Sequence, residues 1–300
     1  MLFSFLRRHS SKLAPEVAPE LVIDSFNNNG VTIRFYRSAK SKKMKILCLP
    51  GVMTFIERAL PFWTALDEAG FEVYGLEYRD HGGSSERHKE DPLKIDTQDF
   101  SAYLDDLHSF QKIYLKDEPV ILLGSSFGGH LVLRYLQDYD QGKGLVQQAV
   151  LIAPMVDLLC PINFLPRCCL PAVIKLLTFF QSTHDAIPGF QEITPEHIIE
   201  KEENTMRRSI LALHQDKIMT RLSLGWIDAA LQSIAQLNNI SINIPVTVFL
   251  GKKEKVVDNQ STIKLISEKA PKASFHFLNC SHRVIDHHLE DVVAEMAKLL

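Results

Sequence analysis

The sequence predicts an α/β protein in which a doubly wound, mostly parallel sheet is interrupted by a helical insertion. Short apolar runs typical of buried strands alternate with amphipathic stretches of helical period along most of the 300 residues. This alternation stops at residues 155–238, where proline-broken apolar pieces and then helical stretches replace it, and it resumes afterwards. We therefore expect a core of residues 21–154 and 239–300, with 155–238 as a cap over the strand ends, where such sheets bind ligands.

The first two predicted strands form a hairpin, and the strands that follow alternate with helices. Residues 27–30, Asn-Asn-Asn-Gly, form the hairpin turn, because Asn and Gly tolerate positive φ. Gly70 closes the first helix. The predicted strands are 21–24, 31–36, 44–49, 71–76, 120–123, 148–153, 244–250 and 274–278, and the predicted helices include 57–69, 97–114, 261–269 and 285–300.

Composition and charge place the chain among ordinary globular proteins. It carries 46% hydrophobic and 23% charged residues with a net charge of -3, so nothing favours a nucleic-acid partner. No cysteine spacing resembles a zinc site, and the adjacent Cys168 and Cys169 can hardly pair with each other. The five cysteines therefore predict reduced thiols and a cytoplasmic location.

Residues 1–20 are polar, carry Pro15 and Pro19, and are expected to form a poorly ordered arm. The apolar run at its start is too short for a secretory signal, and the charges of Arg7 and Arg8 follow that run instead of preceding it. Two interpretations of this arm stay open, a frayed leader and a weak anchor at a membrane surface.

The candidate chemistry centres on residues 124–128, Gly-Ser-Ser-Phe-Gly, which lie between an apolar strand and a helical stretch. A sharp strand-to-helix turn crowds the backbone, so glycine is needed where the chain approaches itself most closely. Such a turn exposes one serine hydroxyl at the N-terminus of a helix, whose dipole favours negative charge there. The pattern alone is weak evidence, because glycine and serine are common residues, but its setting makes Ser126 the predicted nucleophile.

A serine nucleophile needs a histidine base and an acid that orients the histidine, and with this turn the chain order is serine, acid, histidine. The base is expected after the last strand, where His282 stands, whereas His276 falls inside that strand. Two carboxylates qualify as the acid after the strand at 244–250. Glu254 lies in the loop just beyond the strand, and Asp258 is placed to cap the next helix. We favour Glu254 and keep Asp258 as the alternative.

Two backbone N–H groups are needed to hold the oxyanion that forms during acyl transfer. One is expected from Phe127, directly after the nucleophile. The other is expected from Val52, in the loop after the third strand. In that loop Gly51 lets the backbone turn closely, and Pro50 has no N–H to donate.

The chain resembles the lysophospholipase and monoacylglycerol lipase branch of the α/β-hydrolases, the serine aminopeptidase S33 or hydrolase-4 type, over residues 24–300. Residues 79–84 are similar to that family's Arg-Gly-His-Gly-x-Ser loop, and residues 280–282 stand where the family has its catalytic histidine. The resemblance implies an α/β-hydrolase fold with a helical cap, and the catalytic roles assigned above. The stretches that carry it are 66–85, 124–129, 220–226, 245–259 and 280–282.

Three positions depart from the family's pattern. Pro50 stands where the oxyanion loop usually has histidine, and Asp80 stands where the Arg-Gly-His-Gly loop has glycine. Glu254 stands where the acid is usually aspartate, but glutamate can orient a histidine in the same way. Pro50 and Glu254 keep open the interpretation of an inactive hydrolase fold that binds lipid or serves as a scaffold.

We expect a serine hydrolase that cleaves carboxylic esters of single-chain lipids, monoacylglycerols or lysophospholipids, through an acyl-enzyme and without a metal or organic cofactor. The lipid preference rests on the family resemblance and on the apolar residues of 155–180, which pack the cap and are expected to line an acyl-chain tunnel or rest on a lipid surface. Pro188-Gly189 suggests a lid turn, and peripheral membrane contact is expected through the cap or the arm. A small-molecule carboxylesterase, a peptidase and an acyltransferase of the same fold stay open as alternatives.

Overall fold

A computed structural model describes residues 22–42, 44–85, 91–159, 169–180, 182–183 and 193–300. The predicted arm, the predicted lid turn, Cys160 and Cys168 lie outside the described residues. The strands are β1 (Val22–Asn28), β2 (Val31–Arg37), β3 (Lys45–Leu49), β4 (Glu72–Leu76), β5 (Lys94–Ile95), β6 (Val120–Ser125), β7 (Val146–Ile152), β8 (Arg221–Leu222), β9 (Val246–Gly251) and β10 (Ala273–Leu278). The helices are α1 (Ile56–Ala69), α2 (Ser101–Tyr114), α3 (Phe127–Tyr135), α4 (Leu170–Phe180), α5 (Pro195–Lys201), α6 (Thr205–Leu213), α7 (Leu224–Gln236), α8 (Asn259–Lys269) and α9 (Val284–Met296).

Eight of these strands form one sheet in the order β1-β2-β4-β3-β6-β7-β9-β10. β1 and β2 form an antiparallel hairpin, and β2 pairs antiparallel with β4. Every later pair, from β4 across to β10, is parallel. This topology confirms the predicted mostly parallel, doubly wound sheet. Because the parallel strands end at the same edge, the loops after β3, β6, β9 and β10 meet there.

The sheet is covered on both faces, as the continuous apolar runs of its strands predict. Side chains alternate along β6, so that Leu122 packs into the cluster formed with α2, α3 and α8, whereas Ile121 and Leu123 pack into the cluster formed with α1 and α9. Phe110 on α2 and Trp63 on α1 are fully buried members of these two clusters. The strands that carry the candidate site residues are therefore held between two packed helical layers.

Several predicted boundaries differ from the observed ones. β1 extends to Asn28, β7 begins at Val146, and α9 ends at Met296. α2 begins at Ser101 and not near residue 97, because the carboxylate of Asp99 accepts a hydrogen bond from the Ser101 N–H at 2.9 Å. Aspartate side chains that bond the backbone two residues on favour a turn over a helix, so the helix starts after this turn.

The prediction that residues 155–238 contain no clear strand is wrong at β8. This strand pairs in parallel with β5, with Lys94 opposite Arg221 and Ile95 opposite Leu222, and the two form a separate sheet. Two residues are too few to show the alternation that identifies a strand in a sequence. The pairing ties the segment before α2 to the segment before α7.

Charged contacts join the described part of residues 155–238 to the core. Lys217 pairs with Glu57 in the first turn of α1, and Glu57 also pairs with Arg34 on β2 at 2.7 Å. Arg207 on α6 pairs with Asp286 in the first turn of α9 at 2.7 Å. The insertion is thereby held against the N-terminal ends of α1 and α9, next to the loops that precede them. Within the part of the chain that the structure describes, no helix has the length and apolar character needed to cross a membrane.

Candidate active site

Ser126 lies at the turn between β6 and α3 with φ 51° and ψ -113°, a conformation that L residues rarely adopt. Such a conformation costs about 1–3 kcal/mol and persists only where surrounding contacts enforce it. The Ser126 N–H donates to the carbonyl of Ile152 at 2.8 Å, and the Ser126 carbonyl accepts from the N–H groups of His130 and Met155 at 3.1 and 3.0 Å. These bonds hold the strained turn that presents the serine side chain at the N-terminus of α3.

The two glycines of the turn are required by close packing. A Cβ on Gly124 would overlap the backbone of Gly128 and Gly129, because strand and helix approach each other directly after the turn. A Cβ on Gly128 would overlap the carbonyl oxygens of Leu49 and Pro50 at the end of β3. The glycines therefore bring the loop after β3 against the first turn of α3.

His282 lies in the loop between β10 and α9, and its ring reaches both Ser126 and Glu254. Its Nε2 is 2.8 Å from Ser126 Oγ, and its Nδ1 is 2.8 Å from Glu254 Oε2. In a neutral histidine so placed, Nδ1–H donates to the carboxylate and Nε2 accepts from the serine hydroxyl. This arrangement is the one in which histidine can take the proton of an attacking serine.

The Glu254 side chain is 3% exposed and is held by the backbone of its own loop. Its Oε1 accepts hydrogen bonds from the N–H groups of Lys255 and Val256, each at 2.8 Å, while Oε2 faces His282. Burial acts to raise the pKa of this carboxyl, but the hydrogen bond and charge of His282 and the two backbone donors outweigh it, so the pKa is lowered. Glu254 therefore stays ionised beside the histidine at neutral pH.

Asp258, the alternative acid, caps α8. Its Oδ1 accepts from the Gln260 N–H at 3.1 Å, and its Oδ2 accepts from the Ser261 N–H at 3.3 Å and the Ser261 hydroxyl at 2.6 Å. These are the bonds of an N-cap, which satisfy the free amides at the start of a helix. The structure thus brings Glu254 to His282 and places Asp258 at the start of α8.

The two candidate oxyanion donors lie on either side of the nucleophile. Phe127 opens α3 directly after Ser126. Val52 follows Gly51, at which an added Cβ would lie 3.6 Å from the Cβ of Ser126, so this loop passes beside the serine. Among the described residues, neither the Val52 N–H nor the Phe127 N–H has a hydrogen-bond acceptor. Two free amides beside the serine fit the requirement for an oxyanion hole.

Two further histidines lie near the turn without touching the nucleophile side chain. His130 is buried on α3, with Nδ1 3.0 Å from the carbonyl of Met155 and Nε2 2.7 Å from Ser233 Oγ on α7. Burial, and then the charge of Arg134, lower the pKa of His130 to about 3, so its ring is neutral. His81 is also buried, in the loop after β4, and its Nδ1 is 2.6 Å from Asp80 Oδ1.

Glu77, just after β4, is a buried residue that the sequence-based prediction missed. Its Oε1 accepts from the N–H groups of Gly83 and Ser84 at 2.9 and 2.8 Å, and its Oε2 accepts from the Ile56 N–H at 3.0 Å. Arg34 lies 3.4 Å from the same carboxylate. One side chain therefore ties the loop after β4 to the start of α1. A single glutamate in a loop has no periodic signal, and only its place inside the family-like stretch could have indicated it.

Among the described residues, no group of His, Cys, Asp and Glu side chains is arranged to hold a metal ion. The polar groups that converge on Ser126 are the imidazole of His282 and the amides of the two flanking loops. Chemically, this set can activate a hydroxyl nucleophile and stabilise a negative oxygen beside it.

The chain is similar to a known protein family and to several solved structures. The model of the family described as "Serine aminopeptidase, S33" matches residues 26–285. Comparison with curated proteins gives no match. A soluble variant of monoglyceride lipase from Saccharomyces cerevisiae, solved with a substrate analog, has a TM-score of 0.72 at 15% identity, over 96% of this chain and 98% of the yeast chain.

Two further structures are similar over nearly their full length. Monoacylglycerol lipase from Paleococcus ferrophilus has a TM-score of 0.69 at 15% identity, over 89% of this chain and 97% of its own. A thermophilic esterase from Thermogutta terrifontis has a TM-score of 0.60 at 17% identity, over 94% of this chain and 98% of its own. At these identities the structures show a shared fold, which is that of the α/β-hydrolases.

Proposed function

Because the chain belongs to the serine aminopeptidase S33 family, we propose that it is a serine hydrolase that cleaves carboxylic esters of single-chain lipids, monoacylglycerols or lysophospholipids. The observation that carries this proposal is the position of His282, with one ring nitrogen 2.8 Å from Ser126 Oγ and the other 2.8 Å from Glu254 Oε2. Glu254 takes the place of the aspartate usual in the family and accepts the same hydrogen bond.

In the proposed reaction, Ser126 Oγ attacks the ester carbonyl while His282 Nε2 takes its proton. The resulting oxyanion accepts hydrogen bonds from the N–H groups of Val52 and Phe127. The carbonyl then re-forms, the bond to the alcohol breaks, and His282 returns the proton to the leaving alcohol. A water molecule, deprotonated by His282, attacks the acyl-enzyme in the same way and releases the fatty acid and the serine. Glu254 holds the imidazole and stabilises its charged form throughout.

Support for a lipid substrate comes from two sources. The two lipases named above are monoacylglycerol or monoglyceride lipases by their own descriptions. In addition, the helices of the insertion expose large apolar side chains, with Leu176 on α4 at 58%, Met206 on α6 at 52% and Leu213 on α6 at 78% exposure. Exposed apolar side chains on the cap favour contact with a lipid surface, so peripheral membrane contact through the cap is part of the proposal.

The first test is covalent labelling by a fluorophosphonate probe together with hydrolysis of a chromogenic ester. Wild-type protein is expected to label at Ser126 and to turn over, and Ser126→Ala is expected to do neither. Ser125→Ala is the matched control, because it removes the neighbouring hydroxyl of the same turn. Labelling that persists in Ser126→Ala would refute the nucleophile assignment, and an inert wild type that still binds lipid would favour a scaffold protein.

The second test is a panel of acyl-chain lengths and head groups on the purified protein. Long-chain monoacylglycerols and lysophospholipids are expected to give higher kcat/KM values than acetate or butyrate esters. A preference for the short esters would indicate a small-molecule carboxylesterase of the same fold.

A further inference from the structure

Tyr78, in the loop after β4, contacts both sides of the candidate oxyanion hole. Its hydroxyl donates to the carbonyl of Pro50 at 2.6 Å, two residues before Val52. Its ring meets the ring of Phe127 edge to face, with centroids 5.2 Å apart and an interplanar angle of 69°. The side chain is 3% exposed, so these contacts are made inside the protein.

The loop that Tyr78 holds is strained. Met53 has φ 62°, the left-handed region that non-glycine residues avoid, and the Gly51 carbonyl accepts from the Thr54 N–H at 3.2 Å to close a tight turn. Pro50 has no N–H with which to anchor itself. Its carbonyl is therefore the polar backbone group through which side chains can hold the start of this turn.

The carbonyl of Pro50 is confined from two directions. Gly128 lies against it so closely that an added Cβ would overlap its oxygen, and the Tyr78 hydroxyl bonds to it. A rotation of the peptide between Pro50 and Gly51 would break the hydrogen bond. The same rotation would turn the following amides, including that of Val52, away from the serine.

The Tyr78 ring is itself held by a buried polar cluster. His81 and Tyr103 meet it edge to face at 5.1 and 5.5 Å between ring centroids, and Asp80 Oδ2 accepts from the Tyr103 hydroxyl at 2.6 Å. Burial, and then the charge of Asp80, raise the pKa of Tyr78 well above its ordinary value. The phenol therefore keeps its proton at neutral pH and can donate it to the Pro50 carbonyl.

We propose that Tyr78 is a positioning residue for the oxyanion hole, and that its hydroxyl, by fixing the carbonyl of Pro50, aims the Val52 N–H at the oxygen that becomes negative. Tyr78 does not touch the reacting atoms and acts through Pro50. The inference rests on the proposed function.

The test compares Tyr78→Phe with Tyr103→Phe. Both variants lose one buried hydroxyl and keep the ring, and both rings pack against Phe127, at 5.2 and 5.4 Å between centroids. The hydroxyl of Tyr78 bonds to Pro50, whereas that of Tyr103 bonds to Asp80. The readouts are kcat and KM on a chromogenic ester, and the affinity for an alkyl boronic acid, which forms a tetrahedral adduct on Ser126.

Tyr78→Phe is expected to lower kcat about tenfold with KM within about twofold, which is less than the 10²–10³-fold loss when an oxyanion donor is removed outright. Its affinity for the boronic acid is expected to fall by the same factor, because adduct and transition state use the same amides. Tyr103→Phe is expected to keep kcat within about twofold. Replacing Tyr78 by 3-fluorotyrosine, which retains the hydroxyl, is expected to keep kcat near the wild-type value.

Three outcomes would overturn the inference. The first is an active wild type with Tyr78→Phe unchanged in kcat and boronate affinity. The second is an equal loss in Tyr103→Phe, which would assign the effect to general packing. The third is a fluorotyrosine protein as impaired as Tyr78→Phe, which would show that the hydroxyl is not the cause. A wild type without hydrolysis or labelling would instead overturn the proposed function, and this inference with it.

Discussion

Two histidine–carboxylate pairs near the candidate site, His282 with Glu254 and His81 with Asp80, differ in their surroundings. His282 and Glu254 lie with Nδ1 and Oε2 2.8 Å apart, and His81 and Asp80 lie with Nδ1 and Oδ1 2.6 Å apart. The His282 side chain is 21% exposed and its Nε2 faces Ser126 Oγ, whereas the His81 side chain is fully buried and its Nε2 has no partner among the described residues. The second oxygen of Asp80 accepts from Tyr103, a phenol enclosed in the core.

The difference shows that an oriented imidazole becomes a candidate base only where its free nitrogen meets a nucleophile that substrate can reach. Both pairs fix the histidine through Nδ1, so the chemistry of the pair alone does not separate them. The two pairs differ in the exposure of the histidine side chain and in the partner of its Nε2. The imidazole of His81 instead packs edge to face against the rings of Tyr78 and Tyr103, which lie behind the candidate oxyanion hole.

Replacing the imidazole of each pair is expected to give the largest difference in kcat between the two pairs. His282→Gln is expected to lower kcat about 10⁴-fold or more, because the serine loses its base. His81→Gln is expected to keep kcat within about tenfold and to lower the free energy of unfolding by about 1–3 kcal/mol, because the buried Asp80 loses a partner. Steady-state kinetics and urea unfolding of both variants check this, and a comparable loss of kcat in both would contradict it.

Replacing the carboxylate of each pair is expected to show the same difference between activity and stability, with a smaller effect on kcat. Glu254→Gln is expected to lower kcat about 10³–10⁴-fold at nearly unchanged KM, as when the orienting acid of a serine triad is neutralised. Asp80→Asn is expected to act mainly on stability, measured as the midpoint of thermal unfolding. Asp258→Asn is the control for the acid assignment, and a loss of activity in Asp258→Asn alone would make Asp258 the acid.

Another buried histidine, His130, extends the contrast to pH. Its pKa is lowered from 6.5 to about 3 in the folded protein, so between these values the unfolded chain binds a proton that the folded chain does not. The contribution of the neutral His130 ring to the free energy of unfolding is therefore fully present above pH 6.5. It is lost as pH falls, with a slope of up to about 1.4 kcal/mol per pH unit. The free energy of unfolding in urea at pH 7 to 4.5 is expected to fall less steeply for His130→Gln than for wild type, and equal slopes would show that His130 titrates normally.

The smallest expected effect concerns the carboxylate that caps α8. Asp258→Ala is expected to cost about 1 kcal/mol in the free energy of unfolding, because the start of the helix loses its acceptor, with kcat little changed. Chemical unfolding and ester hydrolysis on the same preparation measure both quantities. A kcat loss of tenfold or more with intact stability would contradict the separation of cap and acid.

The sheet was predictable because its strands are apolar runs long enough to recognise. The residues around Ser126 were predictable because each of them follows such a strand. Ser126, Glu254 and His282 stand just past β6, β9 and β10, and parallel strands bring such positions to one edge. The bond from Tyr78 to Pro50 was not predictable, because it joins two loops through one hydroxyl and leaves no periodic trace. The same holds for Glu77, whose partners come from separate loops. The roles of Ser126, Glu254 and His282 as catalytic residues, and of Val52 and Phe127 as oxyanion donors, stay predictions.

The distance along the chain between the site residues has a consequence for biosynthesis. The bond from Ser126 to His282 joins positions 156 residues apart, and the bond from His282 to Glu254 joins positions 28 apart. A growing polypeptide therefore contains Ser126 and the residues that hold its turn before His282 is synthesised, and contacts so remote in sequence form late in folding. While it grows across the 156 positions that separate the two residues, the nascent chain contains Ser126 but not yet His282.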